Sequence, residues 1–424
     1  MTQYTVVKRD RLDAVASQPR LPVFVTSPTW QMNGVNIFAM NLVRGLRALG
    51  YEASIVLTDP RRREPLELTR QDDIGFVELP VAETDSIVAR WRALICFLDQ
   101  HQPCVYIPNY DWHTSCVAPR LGGRVAIIGI VHSDDPRHYE HFARLGHTWN
   151  SVVAVSHRIG EQLAIDNPSV QTRLTVIPIG VSLPKRSRAP GNDDGPLRIV
   201  YSGLLKQFQK RILDVPKILE EASNRGVGLS MTFAGGGVDE QVLRAVCANL
   251  EGRAAVRFLG ILERDRLFDE LSKHDIFLMT SEFEGLPNAL LEAMAHSVVP
   301  VVSAVRSGIP EVIRHGENGL VAPIGDIDAF AGHLQALDRD RKLLAEMATM
   351  ARETVANGPF RVERMVDAYA DAIECVATEA VAGGFDRPRG RILPPADLGP
   401  RWRHHIPTPL RMLLRRVRGL VSDG

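Results

Sequence analysis

Apolar residues in this chain come in short runs separated by amphipathic stretches, and that pattern sets the architecture before any motif does. LPVFVTS, from Leu21 to Ser27, is a β-branched run that predicts a buried strand. A loop with Gly34 follows, and Val35, Phe38, Leu42, Leu46 and Leu49 then recur at helical spacing, with Gly50 placed to cap the helix. ASIVL predicts a second strand, and strand–loop–helix–strand in that order predicts parallel pairing. CVYIP, RVAIIGIVH, SVVAVS and LTVIP carry the alternation onward.

The stretch Leu183–Pro196, LPKRSRAPGNDDGP, is polar and rich in Pro and Gly, which reads as a linker. The alternation then restarts with LRIVYSG, LSMTFAGGG, VRFLG, DIFLMTS, PVVSA and GLVAP. The expectation is α/β class, with two parallel-sheet units over residues 1–190 and 196–358 facing each other across a cleft. From about Gly383 Pro, Gly and Arg dominate, and residues 385–424 read as a basic tail.

Composition narrows the function classes. The 424 residues hold equal numbers of basic and acidic side chains, 50 each, so net charge gives no sign of a nucleic-acid partner. Cys96, Cys104, Cys116, Cys247 and Cys375 form no CxxC pair, which argues against a zinc site or disulfide framework and suits a reducing, cytoplasmic compartment. The N-terminus lacks the apolar core of a signal peptide, and no run of about 18 apolar residues spans a membrane.

The chemistry concentrates in SEFEGLPNALLEAMAHSVVPVV, Ser281 to Val302. A strand ends near Ser281, a loop carries Glu284 and Gly285, and Pro287 opens a helix, a place where its missing N–H costs nothing. Leu286, Pro287 and Asn288 thus sit where free amides and the helix dipole form an anion site suited to a diphosphate. Glu292 lies further along the helix, so the two carboxylates can accept hydroxyls from different parts of one ligand. Asp134 and Asp135 precede Pro136 and read as a turn, so neither a metal nor any other cofactor is expected.

This segment resembles the Glu-x7-Glu signature of glycosyltransferase family 4, the retaining family with the GT-B fold of two Rossmann-like domains. SGIPEVIRHGENGLVAP, VAVSHRIGEQL, VIPIGVS, YSGLLKQFQKRILDVPKIL, FAGGGVDEQVL and VRFLGIL are similar to further blocks of that family, in its order, over roughly residues 22–375. The resemblance implies that Glu292 holds the ribose hydroxyls of a nucleotide-sugar donor and Glu284 those of the transferred sugar. It implies that Gly285 to Asn288 meet the phosphates together with Lys210, that Gly34 sits in the loop over them, and that His132 lies near the transferred sugar. It implies that Gly203 ends the strand before the phosphate-binding cations and that the helix at residues 361–379 crosses back to the first unit. The family's arginine after that glycine is replaced by Leu204, with Lys206 or Arg211 as candidate substitutes. A metal-independent hexosyl transfer from a UDP-sugar, or second a GDP-sugar, to a glycan or lipid-linked acceptor is the expected reaction. A nucleotide-sugar 2-epimerase and a non-catalytic nucleotide-sugar-binding subunit remain as alternatives.

The tail adds one further expectation. From Phe385 to Gly424 nine arginines face three aspartates, a net charge of +6 (nine minus three). On a helical wheel Leu410, Leu413, Leu414, Val417, Leu420 and Val421 fall on one arc and Arg411, Arg415, Arg416 and Arg418 on the other. Such a pattern suits peripheral attachment to an anionic membrane surface, with packing of the apolar arc on the protein itself or on a second subunit as the alternative.

Overall fold

The computed structural model describes residues 20–28, 30, 33–59, 74–184, 195–387, 390–398, 404–407 and 410. The first lobe holds β1 (Val23–Ser27), β2 (Ala53–Leu57), β3 (Gly75–Glu78), β4 (Cys104–Pro108), β5 (Val125–Val131), β6 (Ser151–Ala154) and β7 (Leu174–Val176). They pair in parallel in the order β3-β2-β1-β4-β5-β6-β7. The second lobe holds β8 (Leu197–Ser202), β9 (Leu229–Ala234), β10 (Ala254–Gly260), β11 (Ile276–Met279), β12 (Val299–Ser303) and β13 (Leu320–Ala322), in the order β10-β9-β8-β11-β12-β13.

Most central strands are apolar throughout because helices cover both faces, as parallel sheets require. Chain order reverses between β1 and β4 and again between β8 and β11, and ligands of open α/β sheets bind at the carboxyl ends of such neighbours. Gly34 follows β1, His132 follows β5, Gly203 follows β8 and Glu284 follows β11, so both reversals open onto one cleft.

Helix Gly34–Ala48 buries Phe38, Leu42 and Leu46 as the periodicity predicts, but Leu49 is its C-cap residue and is 38% exposed, with Gly50 at φ +85° beyond it. Strand β3 escaped the pattern because Gly75-Phe76-Val77-Glu78 is a short edge strand with no fully buried residue. Of the linker, residues 185–194 lie outside the described residues.

The chain returns to the first lobe at Phe360. Val181 N–H donates to Phe360 O at 2.9 Å and Val362 N–H to Val181 O at 3.1 Å. Helix Val362–Ala382 then lies along helix Gly34–Ala48 and strands β4 and β5, burying Met365, Val366, Tyr369 and Ile373.

The segment after it does not trail away as expected of a tail. Phe385 N–H donates to Gly123 O at 2.9 Å, Gly390 N–H to Pro119 O at 2.7 Å and Leu393 N–H to Cys116 O at 3.1 Å. Arg387 is sunk against Val125 O and Asn150, and burial draws its guanidinium down to about 10. Leu398 is buried, and His404 is buried with its ring edge-on to Trp91 at 5.3 Å. These are mostly backbone contacts of an extended, Pro-rich strap, so hydrophobic periodicity carries no sign of them. Beyond Leu410 the amphipathic stretch lies outside the described residues.

The crossing of the two helices is tight at one point. A Cβ added to Gly45 would fall 2.2 Å from Val366 Cγ2. Gly45→Ala should therefore cost about 1–3 kcal/mol through overpacking. Urea unfolding should show Val366→Ala recovering most of that loss in the double variant, whereas additive losses would contradict the crossing.

Candidate functional site

The two lobes meet through backbone at the cleft. Ser133, just past β5, forms an antiparallel bridge with Gly285, and Asp134 N–H donates to Glu284 O at 3.3 Å. A Cβ on Gly285 would lie 1.9 Å from His132 O, and one on Gly308 would lie 2.1 Å from Gly285 O. Glycine is therefore required twice for the loop to slide between its neighbours. One turn of chain further, Asn288 Nδ2 donates to Gly34 O at 2.6 Å.

This loop leads into helix Asn288–Ala295, whose N-cap is Pro287 rather than a helical residue. No side chain caps it, so its first-turn amides keep their donors for a ligand. Lys210 stands beside the loop. Thr280 Oγ1 donates to Lys210 O at 2.8 Å, and Glu282 N–H donates to Gln209 O at 2.8 Å, which fixes the lysine backbone against the end of β11. Lys210 Nζ pairs with Glu284 Oε1 at 2.6 Å, and the Ser281 hydroxyl donates to the same oxygen at 2.6 Å. The structure thus brings together Lys210, Glu284, Gly285, Leu286, Pro287, Asn288, Gly34 and His132.

Glu292 is 3% exposed and its Oε1 has no hydrogen-bond partner among the described residues. Burial raises its carboxyl to about 7, against the pull of the Arg264 charge. Arg264 itself ties three segments together: Nη1 donates to Asn41 Oδ1 at 2.8 Å and Nη2 to Ser182 Oγ at 3.3 Å. Neither Arg264 nor Asn41 was apparent in the sequence. Position beyond the carboxyl end of β10 was a usable signal, but Arg264 sits in the charge-dense run ERDR and looks solvated.

His132 is buried, edge-on to Phe38 at 5.1 Å, and burial with a minor contribution from His138 lowers it to about 3. The imidazole is therefore neutral near pH 7, and its Nε2 lacks a partner among the described residues. It can exchange a hydrogen bond with a substrate hydroxyl but cannot serve as a cation.

The glycines of the second lobe also have a stated reason. Gly203 is at φ +145°, and a Cβ on Gly235 would lie 1.9 Å from Gly203 O, so these two loops touch backbone to backbone. Arg211, a candidate second cation, is engaged by two carboxylates. It adopts a left-handed φ of 47°, its Nε donates to Asp214 at 2.8 Å and its Nη1 to Glu282 at 2.9 Å.

Two family descriptions match this chain. Residues 32–184 match Glycosyltransferase Family 4, and residues 184–354 match Glycosyl transferases group 1, so together they run through both lobes. The chain belongs to glycosyltransferase family 4. This family 4 chain is 35% identical over 151 residues to the lipopolysaccharide core biosynthesis glycosyltransferase LpsE of Rhizobium meliloti, covering 36% of this chain and 43% of LpsE. It is 28% identical over 263 residues to N-acetyl-alpha-D-glucosaminyl L-malate synthase of Bacillus anthracis, covering 59% of this chain and 68% of that enzyme. The matched stretch thus spans less than half of the length of LpsE. Among solved structures, Anabaena HepE in complex with UDP and glucose superposes with a TM-score of 0.69 at 15% identity, over 84% of this chain and 100% of HepE. The lipopolysaccharide outer core galactosyltransferase WaaB superposes at 0.64 and 19% identity, over 84% of this chain and 99% of WaaB. At these identities the superpositions establish the two-lobed fold.

The state of Glu292 has a measurable consequence. Its folded value of about 7 lies above the ordinary 4.5. Its contribution to stability is fully present below pH 4.5 and is lost as pH rises through 7. Between pH 5 and 8 the wild type should lose about 2–3 kcal/mol relative to Glu292→Gln, read as the change with pH of the difference in denaturation free energy. The constant offset from altering the neighbour of Arg264 cancels in that comparison. Parallel curves would contradict a buried, protonated carboxyl.

Proposed function

We propose that this chain is a retaining glycosyltransferase that moves a hexosyl group from a UDP-sugar to a glycan or lipid-linked acceptor. The observation that carries the reading is a buried carboxyl oxygen on Glu292 without a hydrogen-bond partner among the described residues, on a helix whose N-terminus is uncapped. One ligand answers both features: ribose hydroxyls donate to Glu292 while the diphosphate meets the amides at Leu286 to Asn288. UDP is favoured over GDP because HepE was crystallised with UDP and glucose; the LpsE and WaaB names support a glycan or lipid-linked acceptor.

In this reading Glu284 accepts hydroxyls of the transferred sugar, and Lys210 leaves Glu284 for the diphosphate. As the bond from the anomeric carbon to the phosphate oxygen lengthens, negative charge grows on the diphosphate. Lys210 and the helix amides stabilise it, which removes the need for a metal ion in this step. Neutral His132 holds a sugar hydroxyl. Glu284 keeps the Ser281 hydroxyl and accepts hydroxyls of the transferred sugar, so it is a poor nucleophile; attack of the acceptor hydroxyl on the same face, with its proton passing to the leaving phosphate oxygen, accounts for retention. The closed contact at Gly285 keeps water from the reacting carbon.

Leu204, 48% exposed, stands where the family resemblance places an arginine, and this supports a second reading as a nucleotide-sugar-binding subunit without turnover. With Arg211 engaged by Asp214 and Glu282, Lys206 becomes the candidate for the second phosphate contact; its Nζ lies 5.6 Å over the exposed Phe208 ring. Product analysis separates the readings: transfer from a UDP-sugar to a glycan primer supports the transferase, free epimerised UDP-sugar the epimerase, and binding without product the subunit. The basic stretch Leu410–Val421 supports peripheral attachment at the inner membrane face, and no described helix is long and apolar enough to cross a membrane. Salt-sensitive co-sedimentation with anionic vesicles, lost on truncation after Pro409, is the corresponding result; equal pelleting of both forms removes the membrane from the account.

Lys210→Ala should lower kcat about 100-fold, the scale of one lost charge-stabilising donor, while donor affinity falls less. Turnover at saturation unchanged in a folded Lys210→Ala protein would exclude the lysine from stabilising the leaving group.

A further inference from the structure

The loop after β4, Asn109-Tyr110-Asp111-Trp112, faces the cleft from the first lobe and takes no part in the contacts described above. Its polar residues point inward. Asn109 Nδ2 donates to Val35 O at 3.2 Å, next to the Gly34 loop. Asp111 is buried, with Oδ2 accepting from Thr58 Oγ1 at 2.6 Å and Oδ1 from Thr114 N–H at 3.2 Å. With both neighbours drawn in, Tyr110 is turned out: it is 39% exposed and its φ is 55°. A left-handed conformation is strained for a bulky L-residue. Asn or Gly would meet the geometry without that strain, so the choice of tyrosine calls for a reason outside folding.

The ring does not stand alone. The Trp112 ring lies 5.0 Å from Tyr110 at 37°, and buried His138 backs both, 5.3 Å from Tyr110 and 5.1 Å edge-on from Trp112. Arg137 covers the other side of Trp112 at 5.6 Å and is clamped by Asp135, its Nε 3.0 and 3.1 Å from the two carboxylate oxygens. The result is an aromatic face with a charged hydrogen-bonding rim, at the same sheet end as Gly34 and His132.

We propose that Tyr110, supported by Trp112 and His138, is the platform on which a pyranose ring of the acceptor stacks. A pyranose offers an apolar C–H face and a rim of hydroxyls; the Tyr110 ring receives the first and the exposed Arg137 guanidinium, held by Asp135, the second. A lipid chain needs a larger continuous apolar surface than one tyrosine bordered by an ion pair. The proposal rests on the transferase reading and adds to it a determinant of acceptor recognition.

Saturation-transfer NMR with methyl α-glucopyranoside, methyl α-galactopyranoside and methyl α-mannopyranoside, on protein holding UDP, tests it. At least one glycoside should receive saturation at its ring protons in the wild type and in Tyr110→Phe, and lose about tenfold in affinity in Tyr110→Asn. Asparagine is at ease at positive φ, so Tyr110→Asn should fold at least as stably as the wild type, and its thermal shift with UDP should be unchanged. Equal signals in Tyr110→Asn, or none from any glycoside in the wild type, would overturn the platform. Loss of the UDP shift in the wild type, with glycoside signals intact, would instead count against the donor reading.

Discussion

The backbone contact between Gly285 and the His132 carbonyl is the constraint on which the site depends. It joins the end of β11 to the end of β5, so the donor-side loop and the first-lobe histidine are fixed by main-chain geometry rather than by side-chain choice. Without a Cβ at Gly285 and Gly308, the loop enters the gap between His132 and the following helix. The same contact places Glu284 against Lys210 and leaves the helix N-terminus uncapped beside Gly34. A hydrogen-bonded closure of this kind is weak per contact, which suits lobes that must part to exchange ligands.

Electrostatics in the cleft follow from burial. Lys210 and Glu284 neutralise each other at 2.6 Å and are held ready for a ligand that separates them. Glu292 has no such partner on one oxygen among the described residues, and burial poises it at about 7, with Arg264 as its nearby cation. Arg264 in turn binds Asn41 and Ser182, so the group next to Glu292 is also an interlobe tie. The proposed nucleotide site and the contact between the lobes thus share one side chain.

Much of this was legible in the sequence, for physical reasons. Apolar runs alternating with helical periods pointed to two parallel sheets, and Pro287 with Gly285 marked the loop-to-helix turn that leads into the uncapped helix Asn288–Ala295. Edge strand β3 was not legible, because a half-buried strand of four residues has too little pattern. The strap from Phe385 to Leu398 was missed because its contacts are made largely by backbone. Arg264 and Tyr110 were invisible for a related reason: one lies in a charged run and the other owes its exposure to buried neighbours on either side. Side chains whose role depends on what other segments bring to them leave little trace in local composition.

Calorimetric titration of UDP at pH 6 and pH 8 tests the central claim, that an ionised Glu292 grips the nucleotide. With the carboxyl at about 7, the ionised fraction rises about tenfold between those values. UDP should bind the wild type about tenfold more tightly at pH 8, while Glu292→Gln should bind more weakly and with little change between the two. The same pH dependence in both proteins, or none in the wild type, would contradict the account.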